Sequence, residues 1–399
     1  MRALLAELAA LPPSHTATRA LFFLAGTAFS VWSALVPFLK LRTGVDEATL
    51  GLLLLCLGGG SLCVMPFSGL LVSRFGCRRV LTLACPMGML CLPGLAWVDT
   101  VWGAALLIAL MGALLGTMDV TMNIQSVIVE KSAGRPMLSG FHACYSMGGI
   151  AGAGLMSLFL NCRLTPLFSV VILFVLAGIA LWKLLPHCLA KATNPTKSCQ
   201  GRSLPPPYIL FLGLLCFIMF MTEGSVLDWS AVYLREISEA DAADASLGFA
   251  AFAALQTVGR LIGDRLITKI GRMTTVLSGG LLCTAALVIL SLGVSQTVAF
   301  GAFALLGLAT ANIIPVFFWA AGNQKLMPVE GAMSAASTCG YLGVLAGPAL
   351  IGFVAHAATL PLAYAMVGVL TLLVAATSVQ FRFLFVLGKI SGKKNQPCG

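Results

Sequence analysis

Cys144-Tyr145-Ser146-Met147-Gly148-Gly149-Ile150-Ala151-Gly152-Ala153-Gly154 returns 195 residues later as Cys339-Gly340-Tyr341-Leu342-Gly343-Val344-Leu345-Ala346-Gly347-Pro348-Ala349. Gly148/Gly343, Ala151/Ala346 and Gly152/Gly347 stand in register, and Ser139/Ser334 and Leu155/Leu350 keep the offset on either side. The same offset joins Arg74-Phe75-Gly76-Cys77 to Lys269-Ile270-Gly271-Arg272. One shared glycine carries no information. One offset at two well-separated places marks an internal duplication. Gly148-x-x-x-Gly152 and its copy Gly343-x-x-x-Gly347 have the spacing that lets two helices cross closely.

Around these copies the chain is 59% hydrophobic and 10% charged, a composition that would leave a soluble protein aggregating. About 20 apolar residues cross a bilayer as a helix. Twelve such stretches are expected, at 20–41, 50–72, 79–98, 101–128, 138–161, 164–185, 207–235, 246–268, 273–293, 297–322, 331–356 and 361–387. Period-two alternation is absent, which argues against a β-barrel. The widest break holds Pro186, Lys191, Asn194-Pro195, Lys197, Arg202 and Pro205-Pro206-Pro207. Polar, basic and proline-rich, it predicts a linker over 186–206 between a six-helix bundle at 1–185 and a second at 207–399. The fold class expected is therefore an all-α membrane protein of two pseudo-symmetric bundles. Parallel repeats of this kind are a carrier architecture, with the solute held near mid-membrane.

The net charge of +10 is a topology signal rather than a sign of nucleic acid. Of the 24 Lys and Arg, Lys40, Arg42, Arg163 and Arg235 fall in odd-numbered loops. That asymmetry places both termini in the cytoplasm. Thirteen cysteines lie mostly in apolar helices with no C-x-x-C or Cys/His cluster, so they read as small packing residues without metal or disulfide. The N-terminus, with Arg2 and a brief apolar run broken by Glu7 and Pro12-Pro13, reads as a short amphipathic or irregular lead-in rather than a cleavable signal. No Walker pattern occurs, so uphill transport would draw on an ion gradient. Nor is a nucleophile–base pair visible, so an enzyme is not expected, and no cofactor is implied.

Ionisable groups inside a bilayer are costly and by default functional. Asp119 lies in the fourth stretch, on a stripe with Gly112, Gly116 and Asn123 at helical spacing. Burial disfavours a charged carboxylate, so Asp119 is a candidate to load and release a proton, with Asn123 bonding either solute or acid. Glu223, beside Gly224 in the seventh stretch, is a second candidate for coupling. Asp228, near the outer end beside Trp229, is expected to reach water. His142 is a third proton candidate, as histidine titrates near neutrality. Tyr145, one turn on, is a cavity-lining candidate. Asn312 and Pro315 interrupt the tenth stretch and predict a pliable, cavity-facing segment. Trp32, Gln256 and Tyr341 complete the candidate solute contacts.

The run Gly69-Leu70-Leu71-Val72-Ser73-Arg74-Phe75-Gly76-Cys77-Arg78-Arg79 resembles the major facilitator signature G-x-x-x-D-R-x-G-R-R, with Ser73 at the aspartate and Cys77 at an arginine. Its second-half counterpart runs from Gly259-Arg260-Leu261-Ile262-Gly263-Asp264-Arg265 to Gly271-Arg272 and keeps an Asp-Arg pair. The resemblance implies gate residues at Arg74, Arg78, Arg260, Asp264, Arg265 and Arg272. Asp119-Val120-Thr121-Met122-Asn123, His142-Ala143-Cys144-Tyr145-Ser146, Glu223 to Trp229, Thr257 to Arg260 and Gly340-Tyr341 through Gly347-Pro348 resemble the YbjJ-like bacterial inner-membrane permeases, relatives of the fucose permeases. Fucose-type permeases couple sugar uptake to protons through a fourth-helix glutamate with Asn four residues later. Asp119 and Asn123 occupy that pattern, while the first-helix acid of those permeases has no counterpart in Phe29-Ser30-Val31-Trp32-Ser33. The resemblance implies a monomeric carrier of the bacterial inner membrane, working by alternating access, that moves a small polar solute such as a sugar together with protons. Proton-driven export of a drug or metabolite, and a sensor that no longer transports, remain open at this point.

Overall fold

A computed structural model describes residues 13–190, 205–241, 244 and 247–391, side chains excepted at 47–48 and 378–391. The regular structure among the described residues is helical. The helices are α1 (Pro13–Thr43), α2 (Glu47–Phe75), α3 (Cys77–Trp97), α4 (Val101–Ala133), α5 (Leu138–Asn161), α6 (Pro166–Leu184), α7 (Pro207–Glu236), α8 (Leu247–Ile270), α9 (Arg272–Ser291), α10 (Gln296–Thr310), α11 (Ile313–Asn323), α12 (Val329–Ala357) and α13 (Leu360–Ser391). A 3₁₀ turn, Leu185–His187, follows α6.

Local chemistry explains most of the boundaries. The Asp46 carboxylate accepts the Thr49 amide at 2.9 Å and caps α2. Thr165 caps α6, with Pro166 in the first helical turn, where its missing N–H costs nothing. Gly76 and Gly271, partners in the 195-residue repeat, sit at φ 81° and 83°, backbone open to glycine at no steric cost. Each lets one helix stop and the next start without a loop. The first helix begins at Pro13, seven residues before the apolar run expected to open it. Its first turn is polar, so hydropathy misses it; the Thr18 hydroxyl donates to the Ser14 carbonyl at 2.8 Å.

Among the described residues, eleven helical segments are long and apolar enough to cross a membrane. The twelfth expected span is α8. It is 24 residues long, about 36 Å, but Arg260, Asp264, Arg265 and Lys269 take it below the apolar threshold. The expected tenth span is two helices. Asn312 breaks it at φ −115°, ψ 0°, and Pro315 falls in the first turn of α11, where proline is tolerated.

The chain clusters into two compact units: Met1–Gly134 with Phe141–Gly201, and Arg135–Gly140 with Arg202–Gly399. Residues 191–204 of the expected linker lie outside the described residues. In the first unit α4 packs against α2 and α3, and in the second α7 packs against α12, α8 against α10, and α9 against α13. The sequence duplication reappears as matched contacts. A Cβ on Gly112 would overlap the Leu57 carbonyl, and one on Gly307 the Phe252 carbonyl, each position 195 residues on. Likewise Gly148 lies on the Phe23 carbonyl and Gly343 on the Phe217 carbonyl. Such contacts require glycine because backbone meets backbone.

Candidate functional site

The fourth helix is buried almost all round from Gly116 to Glu130; Asp119 and Ile128 keep partial exposure. Asp119 therefore looks out of a packed wall. Its carboxylate accepts from Asn123 Nδ2 at 3.3 Å, and the same amide donates to the Asp119 carbonyl at 2.9 Å. Asn123 is 1% exposed. Among the described residues no basic side chain pairs with Asp119. The stripe read from the sequence is real but divided in use: Gly112 and Gly116 seat α4 on Leu57 and Ser61 of α2, and the polar members continue it towards Ala133.

The second unit holds a different arrangement. Glu223 lies about 24 Å along α7 from Pro207, and Arg260 about 15 Å inside the Ile270 end of α8. An Arg260 guanidinium nitrogen stands 3.7 Å from Glu223 Oε1, with the side chains 11% and 19% exposed. That is longer than the roughly 2.8 Å of a well-made charge-assisted hydrogen bond, so the pair is loose. Gln256, one turn before Arg260, stands beside the Glu223 carboxylate, and its Nε2 donates to Thr310 Oγ1 at 3.3 Å. Asn312, at the helix break, donates from Nδ2 to the Gly259 carbonyl at 3.0 Å. Grouped with the gate by its place in the loop motif, Arg260 instead faces Glu223 deep in the helix.

The other gate candidates scatter. Arg74 and Arg265 are exposed, with Arg74 over the Phe75 ring at 5.4 Å. Arg78 donates from Nε to the Cys188 carbonyl at 2.9 Å. Arg272 stacks on Trp319 at 4.0 Å. Asp264 accepts the amides of Ser139 and Gly140 at 3.0 and 2.9 Å, residues that cluster with the second unit; helix N-termini favour a carboxylate in this way. Ser73, at the first-half position of that aspartate, is exposed and donates back to the Leu70 carbonyl at 2.9 Å. His142 meets the Phe22 ring edge-on, centroids 5.2 Å apart. Tyr145 and Tyr341 are half-buried. Trp32 is 3% exposed, a core position with no open ring face. Asp228 is exposed.

Two polar residues escaped the sequence reading. Gln125, fully buried, donates to Thr18 Oγ1 at 2.9 Å and accepts the Leu189 amide at 3.2 Å, tying α4 to α1 and to the segment after α6. Thr310 anchors Gln256. An amide two residues beyond Asn123 in an apolar helix was the available signal for Gln125. Thr310 gave none, as its partner lies on another helix.

Comparison with known proteins agrees with this architecture. Residues 19–326 match the Major Facilitator Superfamily family model. An uncharacterised MFS-type transporter of Yersinia pestis is 43% identical over 365 residues, covering 91% of this chain and 94% of its own. The membrane protein MosC of Rhizobium meliloti is 30% identical over 92% of this chain and 89% of its own. Among solved structures, the MFS transporter FucP in its outward conformation matches with TM-score 0.79 at 17% identity, over 92% of this chain and 98% of that one. The proton:xylose symporter XylE matches at TM-score 0.66 and 14% identity, over 92% and 95%. Helices, duplication and relatives agree: the chain belongs to the major facilitator superfamily and is a multi-pass membrane transporter, not an enzyme.

Proposed function

We propose that the protein is a proton-coupled symporter of a small polar solute, a sugar or related metabolite, working by alternating access in the bacterial inner membrane as a monomer with both termini cytoplasmic. The observation that carries this reading is Asp119: a carboxylate left partly open in a mostly packed stretch of α4, held by Asn123 and, among the described residues, by no cation. A carboxyl so placed can gain and lose a proton without breaking an ion pair. Glu223 serves as a second acid, and His142 stands ready to relay. Asn123, Gln256, Asn312, Tyr145 and Tyr341 are the proposed solute contacts. Arg74, Arg78, Asp264, Arg265 and Arg272 govern the change of state, with Asp264 foremost because it alone of these holds two backbone amides among the described residues. The proton symporters among its structural neighbours support the reading by fold alone.

The test is reconstitution in liposomes with a pH dye inside, screening sugars and small metabolites against wild type and Asp119→Asn. A solute-dependent pH change that the variant abolishes supports proton coupling through Asp119. Labelled solute that equilibrates with no pH change for wild type would make the protein a uniporter and remove the role given to Asp119.

A further inference from the structure

The Glu223–Arg260 pair points to the chemistry of the cargo. We infer that Arg260 is the receptor for a carboxylate on the solute, and that Glu223 is the built-in stand-in for that carboxylate, displaced and protonated when the solute arrives. This deepens the symport reading and rests on it.

Three features carry the inference. Arg260 is a fixed cation about 15 Å inside the Ile270 end of α8, its side chain 11% exposed; a guanidinium stays charged at every physiological pH and presents a planar fork matched to a carboxylate. Its ion-pair partner, Glu223, meets it at 3.7 Å through one oxygen. That oxygen, Oε1, is buried and accepts no hydrogen bond among the described residues. A pair kept for structure alone would close to bidentate contact, since desolvating two charges is repaid only by good geometry. A loose monodentate pair is one that a better-fitting carboxylate can replace. Gln256 and Thr310 stand beside it on a bond of 3.3 Å. The Thr310 hydroxyl donates to the Gly307 carbonyl at 3.2 Å, while the Gln256 amide, with two N–H donors and an oxygen acceptor, keeps capacity for a hydroxyl on the same solute. The class indicated is a small hydroxylated monocarboxylate.

The exchange balances. Before binding, the site holds Glu223 carboxylate and Arg260 guanidinium and is neutral. The solute carboxylate takes the guanidinium, and one proton from water bonds to a Glu223 oxygen. The site is again neutral, so no net charge enters the low-dielectric interior. Binding of each anion thus takes up one proton.

The experiment is calorimetric titration of the purified full-length protein in detergent with gluconate, glucuronate and lactate, against glucose and fucose. Proton uptake is read from a pH indicator in weak buffer. Wild type should bind an acid of this set with uptake of about one proton and bind the matched neutral sugar at least tenfold more weakly. Glu223→Gln removes the competitor and should bind the acid more tightly, with no proton uptake. Arg260→Gln should lose the acid by tenfold or more, and Arg260→Lys, which keeps the charge but not the fork, should fall between. The double variant E223Q/R260Q restores neutrality, controls for folding, and should not bind the acid. The inference is overturned if Arg260→Gln binds the acid as wild type does, if Glu223→Gln loses it, or if glucose and gluconate bind alike. No acid bound while a neutral sugar drives a pH change in liposomes would overturn the anion receptor and leave the symport reading standing. Neither binding nor pH change with any probe would count against both.

Discussion

Cutting the Glu223–Arg260 pair one side at a time should give unequal losses. At 3.7 Å and an effective dielectric of about 20, the Coulomb attraction is about 4.5 kcal/mol. Partial exposure and desolvation reduce what a mutational cycle recovers to roughly 2–4 kcal/mol. The two single variants leave different orphans. In Arg260→Gln the stranded glutamate can take a proton and become neutral. In Glu223→Gln the guanidinium loses its carboxylate and cannot lose its charge. Glu223→Gln should therefore be the less stable single variant, and E223Q/R260Q should recover stability relative to it. The assay is equilibrium unfolding in mixed micelles with a denaturing detergent, monitored by circular dichroism. Salt raised from about 50 to 500 mM should change the coupling little, because buried pairs are weakly screened. A coupling below about 0.5 kcal/mol, the limit for independent sites, would refute the reasoning, as would Arg260→Gln proving the more damaging single change.

Three further outcomes follow from other contacts. Gly148→Val drives a side chain into the Phe23 carbonyl and breaks the Thr27 Oγ1 bond to the Gly148 carbonyl, 3.1 Å. It should cost about 1–3 kcal/mol in the same unfolding assay, while Gly154→Val, with no atom within 4 Å of the added Cβ, should change little. Asp264→Ala removes a charged acceptor from two amides and should speed hydrogen exchange at Ser139 and Gly140 by roughly ten- to hundredfold. Hydrogen bonds from the Thr49 side chain and amide hold the Asp46 carboxyl below its usual value of 3.8. Its folded-state value being lowered, the cap is at full strength above 3.8 and is lost as pH falls through the lower value. Exchange at the Thr49 amide should show that loss on acidification, and Asp46→Ala should abolish the pH dependence.

What the sequence made legible followed the range of the physics. Apolar length is a local property, so α4, α5 and α7 began where hydropathy placed them, at Val101, Leu138 and Pro207. The polar start of α1 and the charged end of α8 were obscured by the same measure, because hydropathy reports the solvent a residue prefers and not the helix it continues. Asp119 and Asn123 were found together because they are one helical turn apart and truly bonded. Glu223 was found without its partner: Arg260 sits on the next helix, and only packing brings the two within 3.7 Å. Motif logic assigned Arg260 to the gate for its place beside Gly259. Side-chain pairing was legible where the partner lay within a turn, as for Asp119 and Asn123, and was not where it lay on another helix, as for Glu223 and Arg260.

The duplication sharpens this into a way of locating chemistry. Positions where backbone touches backbone repeat: Gly112 on Leu57 matches Gly307 on Phe252, and Gly148 on Phe23 matches Gly343 on Phe217. The loop cations Arg74 and Lys269 repeat, but the ionisable positions inside the helices at Asp119, Glu223 and Arg260 do not. The register partners of Asp119 and Asn123 are Ile314 and Phe318, and the partner of Arg260 is Met65. By the 194-residue offset that relates Phe23 to Phe217, the partner of Glu223 is Phe29. A helix crossing tolerates no change, since a single methyl group would force two helices apart. An inward-facing side chain away from the crossing can change freely after duplication. Residues without a repeat partner are therefore where each unit acquired its own role: an acid held by an amide in the first, an acid held by a guanidinium in the second. A carrier that used both units alike would need neither difference. Asp119→Ile should thus spare the fold, Ile314 being the residue its twin unit packs at that depth, and abolish proton-coupled flux; survival of coupled flux in that variant would detach function from the asymmetry.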